Sequence, residues 1–222
     1  MRVAVLGSGA WGTALALELN EGGHKVTVWG HDPIRVREIN QTRSNARYLP
    51  KINLPDSIEF TSDFQKAVDS TEFVVMATPS KALRETAALL NGFAGTIVSV
   101  AKGIEHGSGL TMSQILQQQL PKARVAVLSG PTFAPEIARR MPSAAVVASA
   151  NDEAALQTQE VFHSTYFRIY TNPDVIGVEL GGALKNVIAI AAGVSDGFGF
   201  GDNSKAALVT RALAEIRRVG LA

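Results

Sequence analysis

The chain contains no cysteine, which excludes disulfides, thiolate catalysis and thiolate-bound metals, and permits a reducing compartment without requiring one. It also lacks a charge excess. Lys and Arg number 21 against 20 Asp and Glu, a net charge of +1, so the electrostatic footprint of a nucleic-acid binder is missing. No apolar run reaches the ~18 residues of a membrane span. The apolar start Val3–Leu6 is too short for a signal peptide and meets a glycine turn where a cleavage site would stand. Internal repeats and low-complexity tracts are missing too. These absences leave a soluble cytoplasmic protein as the expectation. What is present agrees: 222 residues, 46% hydrophobic and 18% charged, suffice for one sizeable core, or for one domain and part of another.

The strongest positive signal opens the chain. Val3–Leu6 reads as a strand, Gly7-Ser8-Gly9-Ala10-Trp11-Gly12 as a glycine-rich turn, and Thr13–Glu21 as a helix. Strand, G-x-G-x-x-G and helix in that order form the dinucleotide-binding fingerprint in its required context. Gly7 makes the tight turn, Gly9 lets the backbone approach a pyrophosphate, and Gly12 lets helix and strand pack closely. The helix N-terminus offers unpaired N–H groups and a partial positive charge to phosphates. Ala10 and Trp11 stand at its entrance, where Trp11 either stacks on the cofactor or packs against the core.

Further apolar, β-branched runs follow at Lys25–Trp29, Phe73–Ala77, Thr96–Val100, Val125–Leu128 and Ala144–Ala148. Between and after them lie candidate helices at Pro33–Asn40, Ser80–Leu90, Thr111–Leu120, Phe133–Arg140 and Asp152–Phe162. Near-continuous apolar strands alternating with helices specify a Rossmann-like, doubly wound α/β domain with a mostly parallel sheet, here residues 1–172. The pattern then changes. From Pro173 a small, uniformly apolar helix follows, read as buried on all sides. A glycine-rich loop, Gly197–Gly201, leads into an amphipathic helix over Ser204–Val219. Two helices do not make a core, so residues 173–222 read as the start of an all-α domain that continues beyond this sequence.

Ligands in such sheets bind beyond the C-terminal strand ends. The loop Gly30-His31-Asp32-Pro33 places Asp32 late for a ribose contact, and Asp32 also suits a helix cap before Pro33. His31 and Arg35 could instead face a 2′-phosphate, a slight lean to NADP over NAD. Lys102, before Gly103 at the end of a buried run, either points a cation into the crevice or is solvated. The loop Ser129-Gly130-Pro131-Thr132-Phe133-Ala134 offers N–H groups and a hydroxyl to an anion, and Thr132 also suits an N-cap. Lys185, inside an apolar helix, is the main catalytic candidate, since desolvation lowers a lysine's pKa toward acid–base use. Snorkelling to the surface is its alternative. On a helix Lys185 shares a face with Gly181, Gly182 and Ala189, leaving room for a small molecule. Asn186 offers a donor and an acceptor to the site or to neighbouring backbone.

With these residues assembled, the chain resembles NAD(P)-dependent glycerol-3-phosphate dehydrogenase of the bacterial type. The resemblance rests on Gly7–Ala16, Asn45–Pro50, Ala101–Glu105, Ser129–Ala134 and Ile176–Ile190, continuing through Gly193–Gly197. It implies reversible reduction of dihydroxyacetone phosphate to sn-glycerol 3-phosphate with NADPH or NADH, feeding phospholipid synthesis. It also implies that Lys185 is general acid in reduction and base in oxidation, and that Lys102 touches cofactor and substrate. Gly130 and Thr132 would hold substrate, while Trp11, His31 and Ala134 would line the cofactor. Family members continue past residue 222 and supply an aspartate, a serine and an Arg-Asn pair to the substrate, so little or no turnover is expected of residues 1–222 alone. A non-catalytic NAD(P)-binding module stands as the alternative, with a related 3-hydroxyacyl or 6-phosphogluconate-type dehydrogenase behind it. A phosphorylated triose is the expected partner, and a homodimer is left open.

Overall fold

The computed structural model describes residues 1–221. Its strands are β1 (Arg2–Leu6), β2 (Lys25–Trp29), β3 (Ser44–Asn45), β4 (Leu49–Asn53), β5 (Glu59–Thr61), β6 (Phe73–Met76), β7 (Thr96–Ser99), β8 (Arg124–Ser129), β9 (Ser143–Ala148) and β10 (Phe167–Asn172). Its helices are α1 (Ala10–Glu21), α2 (Pro33–Thr42), α3 (Phe64–Val68), α4 (Ser80–Ala88), α5 (Met112–Gln119), α6 (Ala134–Ile137), α7 (Asp152–Phe162), α8 (Val175–Gly197) and α9 (Asp202–Leu221). Apart from the β3–β4 hairpin, the strands form one eight-stranded sheet in the order β10-β9-β8-β7-β6-β1-β2-β5.

Side chains alternate across each strand, and here both faces are apolar. Val3 and Val5 of β1, with Phe73 and Val75 of β6, enter one core together with residues of α1 and α7. Ala4, Leu6, Val74 and Met76 point the other way and enter a second core with residues of α4 and α5. This is the doubly wound architecture expected. Local chemistry sets several helix starts: Asp32 and Asn151 cap α2 and α7, and Thr111 with Gln114 closes a capping box on α5.

The structure departs from the sequence reading at definite points. β9 runs antiparallel to β8 and parallel to β10, so its apolar run does not mark a parallel neighbour on both sides. β10 was not foreseen, because as an edge strand it alternates, burying Phe167 and Ile169 and exposing Arg168 and Tyr170. β5, also at an edge, is only three residues long. α6 stops at Ile137, short of the expected Arg140, whose left-handed φ of +58° turns the chain toward Pro142. The largest correction concerns α8. Read as buried all round, it exposes Val187, Ile190 and Val194, and among its residues only Glu179, Gly182 and Ser195 are buried. Among the described residues its main neighbours are α9, β8 and β9, and they leave those apolar side chains uncovered. α8 is also long and apolar enough to cross a membrane by length and composition, although no unbroken apolar run is present. Contacts through Glu179 and Gly182 bind it instead to the α/β layer.

Candidate active site

The chain leaves β1 toward β2 and β5, then returns to place β6 on the other side of β1. The crevice of an open sheet lies at such a reversal. The strand ends meet closely there: a Cβ on Gly7, whose φ is +129°, would stand 2.5 Å from the Ala77 carbonyl oxygen. A Cβ on Gly12 would stand 2.0 Å from the Gly7 carbonyl oxygen, so α1 can approach the turn only without one. Gly9 differs, since a Cβ there meets nothing within 4 Å. Gly9 is the N-cap of α1 and supplies no side-chain cap, and the first turn carries no acidic residue. The helix thus begins at Ala10, three residues before the expected start. The N–H groups of Ala10, Trp11 and Gly12 precede the first intrahelical donor, Thr13, which bonds the Gly9 carbonyl at 3.0 Å.

These groups open on a cavity of about 680 Å³. Gly7, Gly9, Ala10, Trp11, Gly12, His31, Lys102 and Ala134, all the residues assigned to the cofactor from sequence, line it together with the substrate candidate Thr132. The donor set fits a dinucleotide: open space before Gly9, helix N–H groups that precede the first intrahelical bond, and a buried Trp11 Nε1–H with no partner among the described residues. At one end, Asp32 accepts from the N–H groups of Ile34 and Arg35 at 3.0 and 3.2 Å and pairs with the Arg35 guanidinium at 3.3 Å. Those contacts lower its pKa, the Arg35 N–H first among them. Asp32 therefore serves as a helix cap. Arg35 also bonds the Tyr48 hydroxyl at 3.0 Å with its guanidinium 4.9 Å from the ring, and both line the cavity. Tyr48 lay inside the Asn45–Pro50 stretch without a role of its own.

At the other end Lys102 lies half-buried, its ammonium 5.9 Å from the centre of the Trp11 ring. Burial and then the charge of Lys185 push its pKa down. Lys185 is half-buried as well. α8 reaches this point through Gly182, where a Cβ would stand 2.6 Å from Ser129 Oγ and 3.6 Å from Lys102 Cγ. Beside it, Lys185, Gly181, Gly182, Ser129 and Gly130 line a second cavity of about 310 Å³. Ala189 does not line it, and Asn186 is exposed and lines neither cavity. Thr132 is not an N-cap, since Phe133 holds that position in α6.

Two anchoring residues were missed. Glu179, 6% exposed, accepts from Ser113 N–H at 2.8 Å and Ser113 Oγ–H at 2.6 Å, fastening α8 to the first turn of α5. Asn45 donates to the Ser8 carbonyl at 2.9 Å and to Thr13 Oγ1 at 2.8 Å, fastening the β3–β4 hairpin to the glycine turn.

A family model described as NAD-dependent glycerol-3-phosphate dehydrogenase N-terminus matches residues 2–155, and its C-terminus counterpart matches residues 174–222. The glycerol-3-phosphate dehydrogenase [NAD(P)+] of Geobacillus kaustophilus is 50% identical over 226 residues, covering 99% of this chain and 66% of that protein. The enzyme of the same name from Chlorobium luteolum is 49% identical, covering 100% of this chain and 68% of its own. A crystal structure of glycerol-3-phosphate dehydrogenase from Coxiella burnetii superimposes with a TM-score of 0.93 at 36% identity, over 98% of this chain and 68% of that one. The chain thus spans about two thirds of the length of these relatives.

Proposed function

Because the chain belongs to the NAD-dependent glycerol-3-phosphate dehydrogenase family, we propose that it forms the cofactor-binding and proton-transferring part of an enzyme interconverting dihydroxyacetone phosphate and sn-glycerol 3-phosphate. The observation that carries the reading is the convergence of Lys102 and Lys185 between the fingerprint cavity and the Gly130–Lys185 cavity. A nicotinamide, when bound, supplies or accepts the hydride. The chain does the rest. The N–H groups of Ala10, Trp11 and Gly12 hold phosphate, with Gly7 and Gly12 setting the turn that aims them. Ala134 and His31 line the cofactor cleft. A ketone oxygen gaining negative charge needs a proton donor or cation at hydrogen-bond distance, and Lys185 fills that role in reduction and the reverse in oxidation. Lys102 contributes its charge to both ligands, and Gly130 and Thr132 hold the substrate phosphate end.

NADP(H) is the favoured cofactor. Asp32 is engaged as the cap of α2 rather than toward a ribose, and Arg35, Tyr48 and His31 line the cavity end that would receive a 2′-phosphate. Residues 1–172 constitute the cofactor unit and 173–222 the first helices of a substrate unit, working in the cytoplasm. Oxidation of NADPH and of NADH is followed with dihydroxyacetone phosphate, alongside tryptophan quenching by cofactor. Substrate-dependent oxidation that vanishes in Lys185→Ala supports the dehydrogenase. Quenching without oxidation leaves a nucleotide-binding module, and the absence of both overturns the reading.

A further inference from the structure

Lys102 occupies a position that electrostatics opposes. It is half-buried, the charge of Lys185 acts against its own, and among the described residues neither it nor Lys185 makes an ion pair. Left to itself, a segment carrying such a lysine relaxes toward water. Lys102 sits in the irregular segment between β7 and α5, so no strand or helix fixes its backbone. α4 holds this segment at two points one helical turn apart. Gly103, at φ +152°, packs on Ser80 so closely that a Cβ would lie 3.0 Å from Ser80 Cβ and Oγ. Four residues on, Arg84 grips Glu105 through both prongs of its guanidinium, Nε to Oε1 at 2.8 Å and Nη2 to Oε2 at 2.7 Å.

The grip is itself supported. Ser108 Oγ–H donates to Glu105 Oε2 at 2.6 Å, and the remaining Arg84 nitrogen donates to Gln118 Oε1 of α5 at 3.2 Å. The Glu105 N–H bonds the Leu110 carbonyl at 2.9 Å, and Ile104 bridges to Thr111, which closes the segment into a loop. A bidentate Arg–carboxylate pair fixes orientation as well as distance. Arg84 and Ser108 hold the Glu105 carboxyl down at about 2, so the pair stays charged across any assay range.

We infer that Arg84 and Glu105 are positioning residues, a brace from α4 that holds the Lys102 loop so that its ammonium stays in the crevice over Trp11. The inference rests on the reading of Lys102 as a ligand-binding cation given above. Trp11 provides a reporter, because the chain has two tryptophans and only Trp11 lies under Lys102. In protein labelled with 5-fluorotryptophan, Glu105→Gln and Arg84→Gln move the Trp11 fluorine resonance toward that of Lys102→Ala and leave the Trp29 resonance in place. The same variants weaken NADPH binding by about tenfold, and Arg84→Lys recovers part of that loss. A Trp11 resonance and NADPH affinity equal to the parent in both Gln variants overturns the brace. Loss of the folded circular-dichroism spectrum in both overturns it equally, by making the pair a strut of the fold. Unchanged NADPH affinity in Lys102→Ala instead removes Lys102 from the cofactor site, while the fluorine shifts still decide the brace.

Discussion

Lys102 keeps its ammonium in the crevice against burial and against Lys185, and both lower its pKa from the ordinary lysine value of 10.5. In the window between the lowered value and 10.5 the unfolded chain binds more protons at this site than the folded one. Stability contributed by the site therefore rises with pH through that window. Anion binding runs the other way, because it needs the charged form. Cofactor affinity is expected to begin falling below pH 10.5, by up to about tenfold per unit once Lys102 is neutral. Fluorescence titrations of NADPH across alkaline pH check this. Lys102→Met should bind more weakly and lose that alkaline fall, and an unchanged fall in the variant would assign it to another group.

At the scale of elements, α8 depends on few attachments. Glu179 fastens it to Ser113 of α5, and Gly182 lets it settle on Ser129. Glu179→Ala leaves the Ser113 N–H without its acceptor and is expected to cost about 1–3 kcal/mol. Hydrogen exchange should show the loss concentrated in α8, with β1 and β6 keeping their protection. A uniform loss across the sheet would mean that α8 and the sheet unfold as one unit. The contrast between legible and hidden features follows the range of the forces involved. β1, β6 and β7 were readable because burial on both faces writes a continuous apolar run. β10 alternates and β5 is three residues long, so neither writes one. The cofactor side of the site was readable because glycine spacing is a local constraint on backbone. Glu179 and Asn45 were not, since their partners lie 66 and 37 residues away and no periodicity marks such a pair.

Across the whole molecule, apolar surface is unevenly distributed. The α/β layer closes two cores, while Val187, Ile190 and Val194 of α8 and Leu213 of α9 remain more than half exposed. Apolar faces of this kind drive association. Light scattering on chromatographed protein is expected to give a mass that rises with concentration, and Ile190→Lys with Leu213→Lys should return it to that of a monomer. A parent that stays monomeric at all concentrations counts against these faces as the contact. The strand order has a consequence of its own, for the chain as it leaves the ribosome. β2 adds to one side of β1 and β5 to the outer edge of β2. β6, β7, β8, β9 and β10 then join the opposite side in the order of synthesis. No strand ever has to wedge between two that have already paired. The sheet can grow outward while translation proceeds, and the glycine turn, β6 and Lys102 are all in place before the last three strands have been made.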